Sequence, residues 1–138
     1  IIMKLMGLDV GEKTIGVAVS DDLGWTAQGV KTLLWKEDFK EVETDLQQLI
    51  NEYHIEKIVV GLPKNMNGTI GERGIKCQEF AEQCKETFHL PVDLWDERLT
   101  TMAAERVLLS ADMSRKKRKK VIDKMAASII LQSYMDAH

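Results

Sequence analysis

Cysteine is scarce in this chain of 138 residues: Cys77 and Cys84 are the only two. They fall seven residues apart on one helical pattern, about 10 Å along a helix axis, too far for a disulfide within that helix. Two free thiols are expected, which suits a reducing cytosol. Histidine is as sparse, with His54, His89 and His138 scattered and no cysteine–histidine spacing of a zinc site. All five of these residues are expected at the surface or half-buried. No apolar run is long enough to span a bilayer, and the N-terminus has neither the basic segment nor the cleavage site of a signal peptide. Ile1 and Ile2 precede Met3 and carry no functional weight. A phosphate-binding P-loop is missing too. Gly7-x-x-x-Gly11-Glu12-Lys13-Thr14 has Glu12 where the final glycine should stand, and it leads into a strand rather than a helix. What remains is a cytoplasmic globular protein, one domain over residues 1–138 with a single core.

Charge is short overall but unevenly placed. The net charge is −3. Met113 to Lys124 carries seven basic residues against one acid, so that block is +6 and the rest of the chain −9. An acidic body with one basic block points to a local contact with a polyanion.

Hydropathy patterning divides the chain. Met3 to Val10 and Thr14 to Ser20 read as a hairpin, with Gly11 in the turn. Trp25 to Leu34 reads as a third strand. Phe39, Val42, Leu46, Leu49, Ile50 and Tyr53 recur at helical spacing and predict a helix over Glu37–Glu52. Lys57 to Leu62 has the look of a buried parallel strand. Pro63 to Thr69 is a turn-rich loop. A second helix is predicted over Gly71–Thr87, with Ile75, Phe80, Cys84 and Phe88 on its apolar positions, and a strand over Pro91–Glu97. Thr100 or Thr101 can cap a third helix over Met102–Ser110. Ala111 to Lys117 connects to a last helix over Arg118–Met135, with Val121, Ile122, Met125, Ile129 and Ile130 inward. Three antiparallel strands followed by two αβ units predict an α/β fold, a mixed five-stranded sheet with helices on both faces. Right-handed crossovers put Lys57–Leu62 beside the first strand and Pro91–Glu97 beyond it. The carboxyl ends of these three strands then share one edge, where ligand sites of such sheets lie.

Asp9, the Gly61-Leu62-Pro63 run and Asp96-Glu97 meet at that edge. An acid at the end of a buried strand is costly unless it is paired, hydrogen-bonded or bound to a metal. Lys119, Asp123, Ala126, Ala127 and Ile130 share a face of the last helix, and the two alanines let it lie close to the sheet, bringing Asp123 near Asp9. Gathered carboxylates favour hard divalent cations. Taken singly, each acid is more often structural: Asp9 can cap a turn and Asp123 can pair with Lys119 or Lys120. These residues alone do not choose between Asp96 and Glu97.

Four ordered motifs carry a family resemblance that spans the chain: Gly7-Leu8-Asp9-Val10-Gly11 through Ser20-Asp21, Gly61-Leu62-Pro63 with Asn67-Gly68-Thr69, Asp96-Glu97-Arg98-Leu99-Thr100, and Val121-Ile122-Asp123-Lys124-Met125-Ala126-Ala127. They resemble the bacterial YqgF family, also called the RuvX or Holliday junction resolvase-like family. The resemblance implies a ribonuclease H-like fold related to the RuvC resolvase. It also implies that Asp9, Glu97 and Asp123 are the catalytic, metal-binding acids, favouring Glu97 over Asp96, with two Mg²⁺ or Mn²⁺ ions as the expected cofactor. Processing of pre-16S rRNA in ribosome biogenesis is the implied activity, with the older assignment, resolution of four-way DNA junctions, as the alternative.

Candidate nucleic-acid contacts are Lys13, Lys64, Asn65, Arg98 and the run Arg115, Lys116, Lys117, Arg118, Lys119 and Lys120. Arg98 can equally pair with Asp96 or Asp9. The loop at Lys64 and Asn65 serves as well as a plain connection. The basic run, leading into the helix of Asp123, is read as phosphate-binding with salt-sensitive affinity. Trp25 and Trp95 are expected in the core, and Trp35 is open. A nucleotide-binding kinase of the actin type is disfavoured, because such proteins close two related domains around the nucleotide. A non-catalytic nucleic-acid binding module is the third reading. With no dimer signature, a monomer or weak dimer acting on structured RNA, in contact with the ribosome and with no membrane, is preferred to a branched-DNA enzyme.

Overall fold

The computed structural model describes residues 2–98 and 114–138, and of residues 118–124 the backbone alone. Five strands, β1 (Leu5–Val10), β2 (Thr14–Ser20), β3 (Ala27–Leu34), β4 (Lys57–Leu62) and β5 (Val92–Asp96), form one sheet in the order β3-β2-β1-β4-β5. The first three strands pair antiparallel, and β4 and β5 join them in parallel. Among the described residues three helices cover the sheet: α1 (Lys40–Tyr53), α2 (Glu72–Phe88) and α3 (Arg115–Ala137). The expected α/β architecture and strand order are thus the observed ones. The helix expected over Met102–Ser110 lies outside the described residues. The last helix begins three residues earlier than its apolar spacing suggests, because Ser114 caps it, its side chain accepting from the Lys117 N–H at 3.3 Å.

Strand parity sorts the side chains into two layers. Met6, Leu8 and Val10 of β1, Ile15, Val17 and Val19 of β2, and Ile58, Val60 and Leu62 of β4 pack against α1 and α2. Ala18, Val59 and, in part, Leu5 and Trp95 face α3 through Ala127, Ile130, Leu131 and Tyr134. The second layer is thin because glycine lines it. A β-carbon on Gly7 would stand 2.7 Å from Leu131 Cβ and 3.2 Å from the Ala127 carbonyl, and one on Gly61 would stand 2.6 Å from Ile130 Cδ1. Those bare positions let α3 lie directly on the sheet, as the alanines of its own face suggest.

Several side chains depart from expectation. Cys77 and Cys84 are buried free thiols, since α2 turns both toward the sheet, and burial pushes the Cys77 thiol up to about 11. Trp25 is 73% exposed, because β3 starts only at Ala27 and leaves it in the preceding turn. Trp35 is buried instead, donating its ring N–H to the Gly11 carbonyl at 2.9 Å and meeting Phe80 edge-on. Ile75 and Met125, expected inward, are about half exposed, lying on the outer flanks of α2 and α3. Val121 and Ile122 fall among the residues described by backbone alone.

Candidate active site

The β1–β2 turn places Asp9. Gly11 donates its N–H to the Thr14 carbonyl at 2.8 Å, closing the hairpin tightly, and the register pairs Asp9 with Gly16. Parity puts Asp9 on the α3 face, one step beyond Gly7. The ideal β-carbon of Gly16 would be 3.7 Å from Asp9 Cβ and 3.4 Å from Ala127 Cβ, so acid, glycine and helix meet at one point.

The two acids at the end of β5 have different surroundings. Trp95 packs on the α3 layer. The strand, expected to reach Glu97, ends at Asp96, and just beyond it the Glu97 carboxylate lies against Gly61, beside Ile130. Burial first, then the negative charges of Asp9 and Asp96, push the Glu97 carboxyl up to about 7, partly opposed by the Arg73 guanidinium. Asp96 has a different task. Arg98 grips it with Nη2 at 2.7 Å from Oδ2 and Nε at 3.1 Å from both oxygens, and its Oδ1 accepts the Arg98 backbone N–H at 3.0 Å. Those hydrogen bonds hold the Asp96 carboxyl below its ordinary range. Of the two pairings open to Arg98 within the chain, the one with Asp96 forms.

Asp123 falls among the residues of α3 described by backbone alone. Position 123 stands one helical turn before Ala127, about 6 Å along the axis, towards the carboxyl end of β1. The opposite end of the helix meets Lys57 and Asp93 through Tyr134, which fixes that direction.

The remaining candidates spread around this edge. Lys13 is exposed in the hairpin turn. Lys64 lies 3.9 Å from Asp96 Oδ2. Asn65 is tied into its loop, donating to Thr69 Oγ1 at 2.9 Å while its backbone N–H meets the Thr69 carbonyl at 2.9 Å. Arg98 Nη1 reaches the Met66 carbonyl at 3.3 Å, fastening the tip of that loop to the residue after Glu97. Arg115, Lys116 and Lys117 are exposed on the first turn of α3. The side chains of Arg118, Lys119 and Lys120 lie outside the described residues.

One neighbour of the acids escaped the sequence reading. Arg73, in the first turn of α2, passes under the end of β1 and donates from Nη2 to the Val10 carbonyl at 2.9 Å and from Nη1 to Glu37 Oε1 at 2.8 Å. Lys76 binds the other Glu37 oxygen at 2.9 Å. A signal existed: a cation in a first helical turn opposes the helix dipole, so an arginine there asks for another partner.

The donor set suits a hard divalent cation. Two carboxylates converge on one face, one of them pushed towards neutral pH by burial and then by the charge of the other, and such crowding is relieved by a cation with oxygen preference. Among the described residues the acids alone do not complete a three-ligand group; the backbone of α3 carries the third candidate, Asp123, to the same end. No helix among the described residues is long and apolar enough to cross a membrane.

Comparison with known proteins agrees with this geometry. The family model described as "RuvX: Holliday junction resolvase" matches residues 3–137. A protein of Oceanobacillus iheyensis named "Putative pre-16S rRNA nuclease" is 67% identical over 135 residues, covering 97% of this chain and 98% of that one. Among solved structures, Thermus thermophilus RuvC superposes with a TM-score of 0.58 at 14% identity over 98% of this chain and 95% of that chain. The fowlpox virus Holliday junction resolvase does so with 0.54 at 17% over 99% and 100%. At such identities these likenesses establish the fold, the ribonuclease H-like arrangement of RuvC. With its near-complete match to the family model and its two-thirds identity to a full-length relative, this chain belongs to the RuvX family.

Proposed function

We propose that this chain is a metal-dependent nuclease that hydrolyses phosphodiester bonds, with Asp9, Glu97 and Asp123 as the acids that hold Mg²⁺ or Mn²⁺. The observation that carries the reading is the convergence of Asp9 and Glu97 on the α3 face, with the Glu97 carboxyl pushed up to about 7 by burial and by the charges of Asp9 and Asp96. Two hard cations bound there would supply Lewis acidity to the attacking water and the leaving oxygen. The chain's own residues do the rest. Asp9 and Glu97 concentrate negative charge where a cation is wanted, and Glu97 gives up its proton when one binds. Arg73 anchors the carbonyl beside Asp9 and keeps the end of β1 in place. Arg98 holds Asp96 aside, so that Glu97 alone of the adjacent pair faces the site. Lys13, Lys64, Asn65 and the exposed Arg115, Lys116 and Lys117 offer charge and hydrogen bonds to a phosphate backbone.

The substrate we infer is the 5′ end of a pre-16S rRNA, handled in the cytoplasm on the ribosome precursor by one catalytic domain spanning the chain. The name of the Oceanobacillus relative supports it. The family description and the RuvC-like fold support the rival substrate, a four-way DNA junction, which two copies would have to cut in step. The test of the nuclease reading is Asp9→Asn: cleavage of nucleic acid with Mg²⁺ should vanish while the circular dichroism spectrum and melting temperature stay near wild type. An Asp9→Asn protein that cuts as fast as wild type contradicts the assignment.

A further inference from the structure

Helix α3 covers β1, β2 and the start of β3, where Ala27 donates its N–H to Gln132 Oε1 at 2.9 Å, and among the described residues a groove remains beside Gly29 and Thr32. The register shows why. Gly16 of β2 pairs with Thr32 of β3, and Ala18 pairs with Gly29, with a bulge between Val17 and Ala18. Paired residues share a face, so the floor beside α3 is built from glycine, alanine and threonine. A β-carbon on Gly29 would meet nothing within 4 Å among the described residues. The result is a groove of about 330 Å³ with Gly16, Gly29 and Thr32 below and Met125 and Ser128 of α3 as one wall.

Three features set this groove apart from a packing gap. It opens beside the acids, since Gly16 is the register partner of Asp9 and lies against Asp9 Cβ. Glycine inside a strand weakens it, and such positions often mark a close approach of a ligand or another backbone. Met125 turns 48% of its surface to solvent here, a soft, polarizable wall suited to a flat ring. The groove also carries hydroxyls: Thr32 is exposed, and Ser128 Oγ donates to the Met125 carbonyl at 2.8 Å, leaving its oxygen able to accept. The basic residues Arg115, Lys116 and Lys117 stand exposed on the same helix.

We propose that the groove between β3 and α3 is a nucleotide subsite, holding one base of a single-stranded segment next to the bond to be cut, with the base on the Gly16–Gly29 floor against Met125. It deepens the nuclease reading and rests on it for the neighbouring bond, but the subsite itself is testable without cleavage. Apolar and aromatic surfaces that hold bases tolerate any sequence, and hydroxyls at Thr32 and Ser128 add a means of sensing a ribose 2′-hydroxyl.

Gly29→Leu fills the groove at a position with open space and extended strand pairing, so the fold should keep its melting temperature. The probe is a fluorescein-labelled single-stranded hexanucleotide, as RNA and as DNA, in EDTA, where no cutting occurs. Wild type should bind it, with amide shifts at Gly16, Gly29, Lys31 and Ser128, and Gly29→Leu should weaken binding about tenfold. Failure of wild type to bind, equal affinity in Gly29→Leu, or shifts that spare the four amides would overturn the subsite. Cleavage with Mg²⁺ is measured separately. Shifts in the groove with no cleavage of any substrate would sink the nuclease reading and leave the subsite. Cleavage with an unaltered Gly29→Leu would do the reverse.

Discussion

The carboxylate of Glu97 rests on Gly61: a β-carbon at residue 61 would stand 3.0 Å from both Cδ and Oε1 of Glu97 and 2.6 Å from Ile130 Cδ1. A methyl group there must move the acid, the helix side chain or both. Gly61→Ala should cost about 1–3 kcal/mol of stability, the ordinary range for overpacking, and reduce cleavage by more than that loss of folded protein explains. Denaturant melts and cleavage rates on the same preparation separate the two. A variant with full activity would mean that the position of Glu97 is unimportant.

The charge state of Glu97 makes stability depend on pH in an unusual direction. Its carboxyl is raised from the ordinary 4.5 to about 7 in the folded chain, so the native state holds the proton more tightly than the unfolded one. The stability this gives is complete below about pH 4.5 and lost as pH rises through about 7. The melting temperature of protein in EDTA should therefore fall between pH 5 and pH 8, and Glu97→Gln should flatten that fall. Mg²⁺ should raise the melting temperature more at pH 8 than at pH 5, since binding requires the ionised carboxylate. Scanning calorimetry at the two values, with and without Mg²⁺, reads all of this.

Arg73 supports the site from beneath. Replacing it by methionine keeps an unbranched apolar stem and removes the bonds to the Val10 carbonyl and Glu37. We expect a loss of about 1–3 kcal/mol from the carbonyl left without its charged partner and a drop in cleavage, with Arg73→Lys intermediate, since an ammonium cannot span both partners as the guanidinium fork does. Equal activity in the methionine variant would confine Arg73 to the fold.

The basic turn of α3 should act through phosphates. Changing Arg115, Lys116 and Lys117 together to glutamine should weaken binding of single strands at low salt and reduce the slope of log affinity against log salt by about 2. Stability should hardly change, because all three are exposed. Filter binding at several salt concentrations gives the slope, and an unchanged slope would place the nucleic acid elsewhere.

Much of this was legible in the sequence because the signals were local and periodic. The alternation in β1 and β2, the apolar run Ile58-Val59-Val60 and the helical spacing of Val42, Leu46 and Leu49 dictated the elements, and handed crossovers dictated their order. The different surroundings of Glu97 and Asp96 were not legible from the residues alone, because Glu97 lies just past the end of β5 and rests on Gly61 of β4, 36 residues earlier in the chain. Trp25 and Met125 were misread because hydrophobicity alone does not tell an inner from an outer flank of an element. Arg73 was missed because its partners, Glu37 and the Val10 carbonyl, lie 36 and 63 residues away along the chain, and no local pattern joins them.

The most direct measurement sets a labelled pre-16S rRNA 5′-end fragment beside a synthetic four-way DNA junction, each with Mg²⁺, Mn²⁺ or EDTA, for wild type and Asp9→Asn. The account predicts cutting of the RNA by wild type with either metal, none in EDTA and none by the variant. Cutting that persists in EDTA or in Asp9→Asn would contradict a cation held by Asp9 and Glu97, and paired symmetric cuts in the junction with the RNA left intact would contradict the assigned substrate.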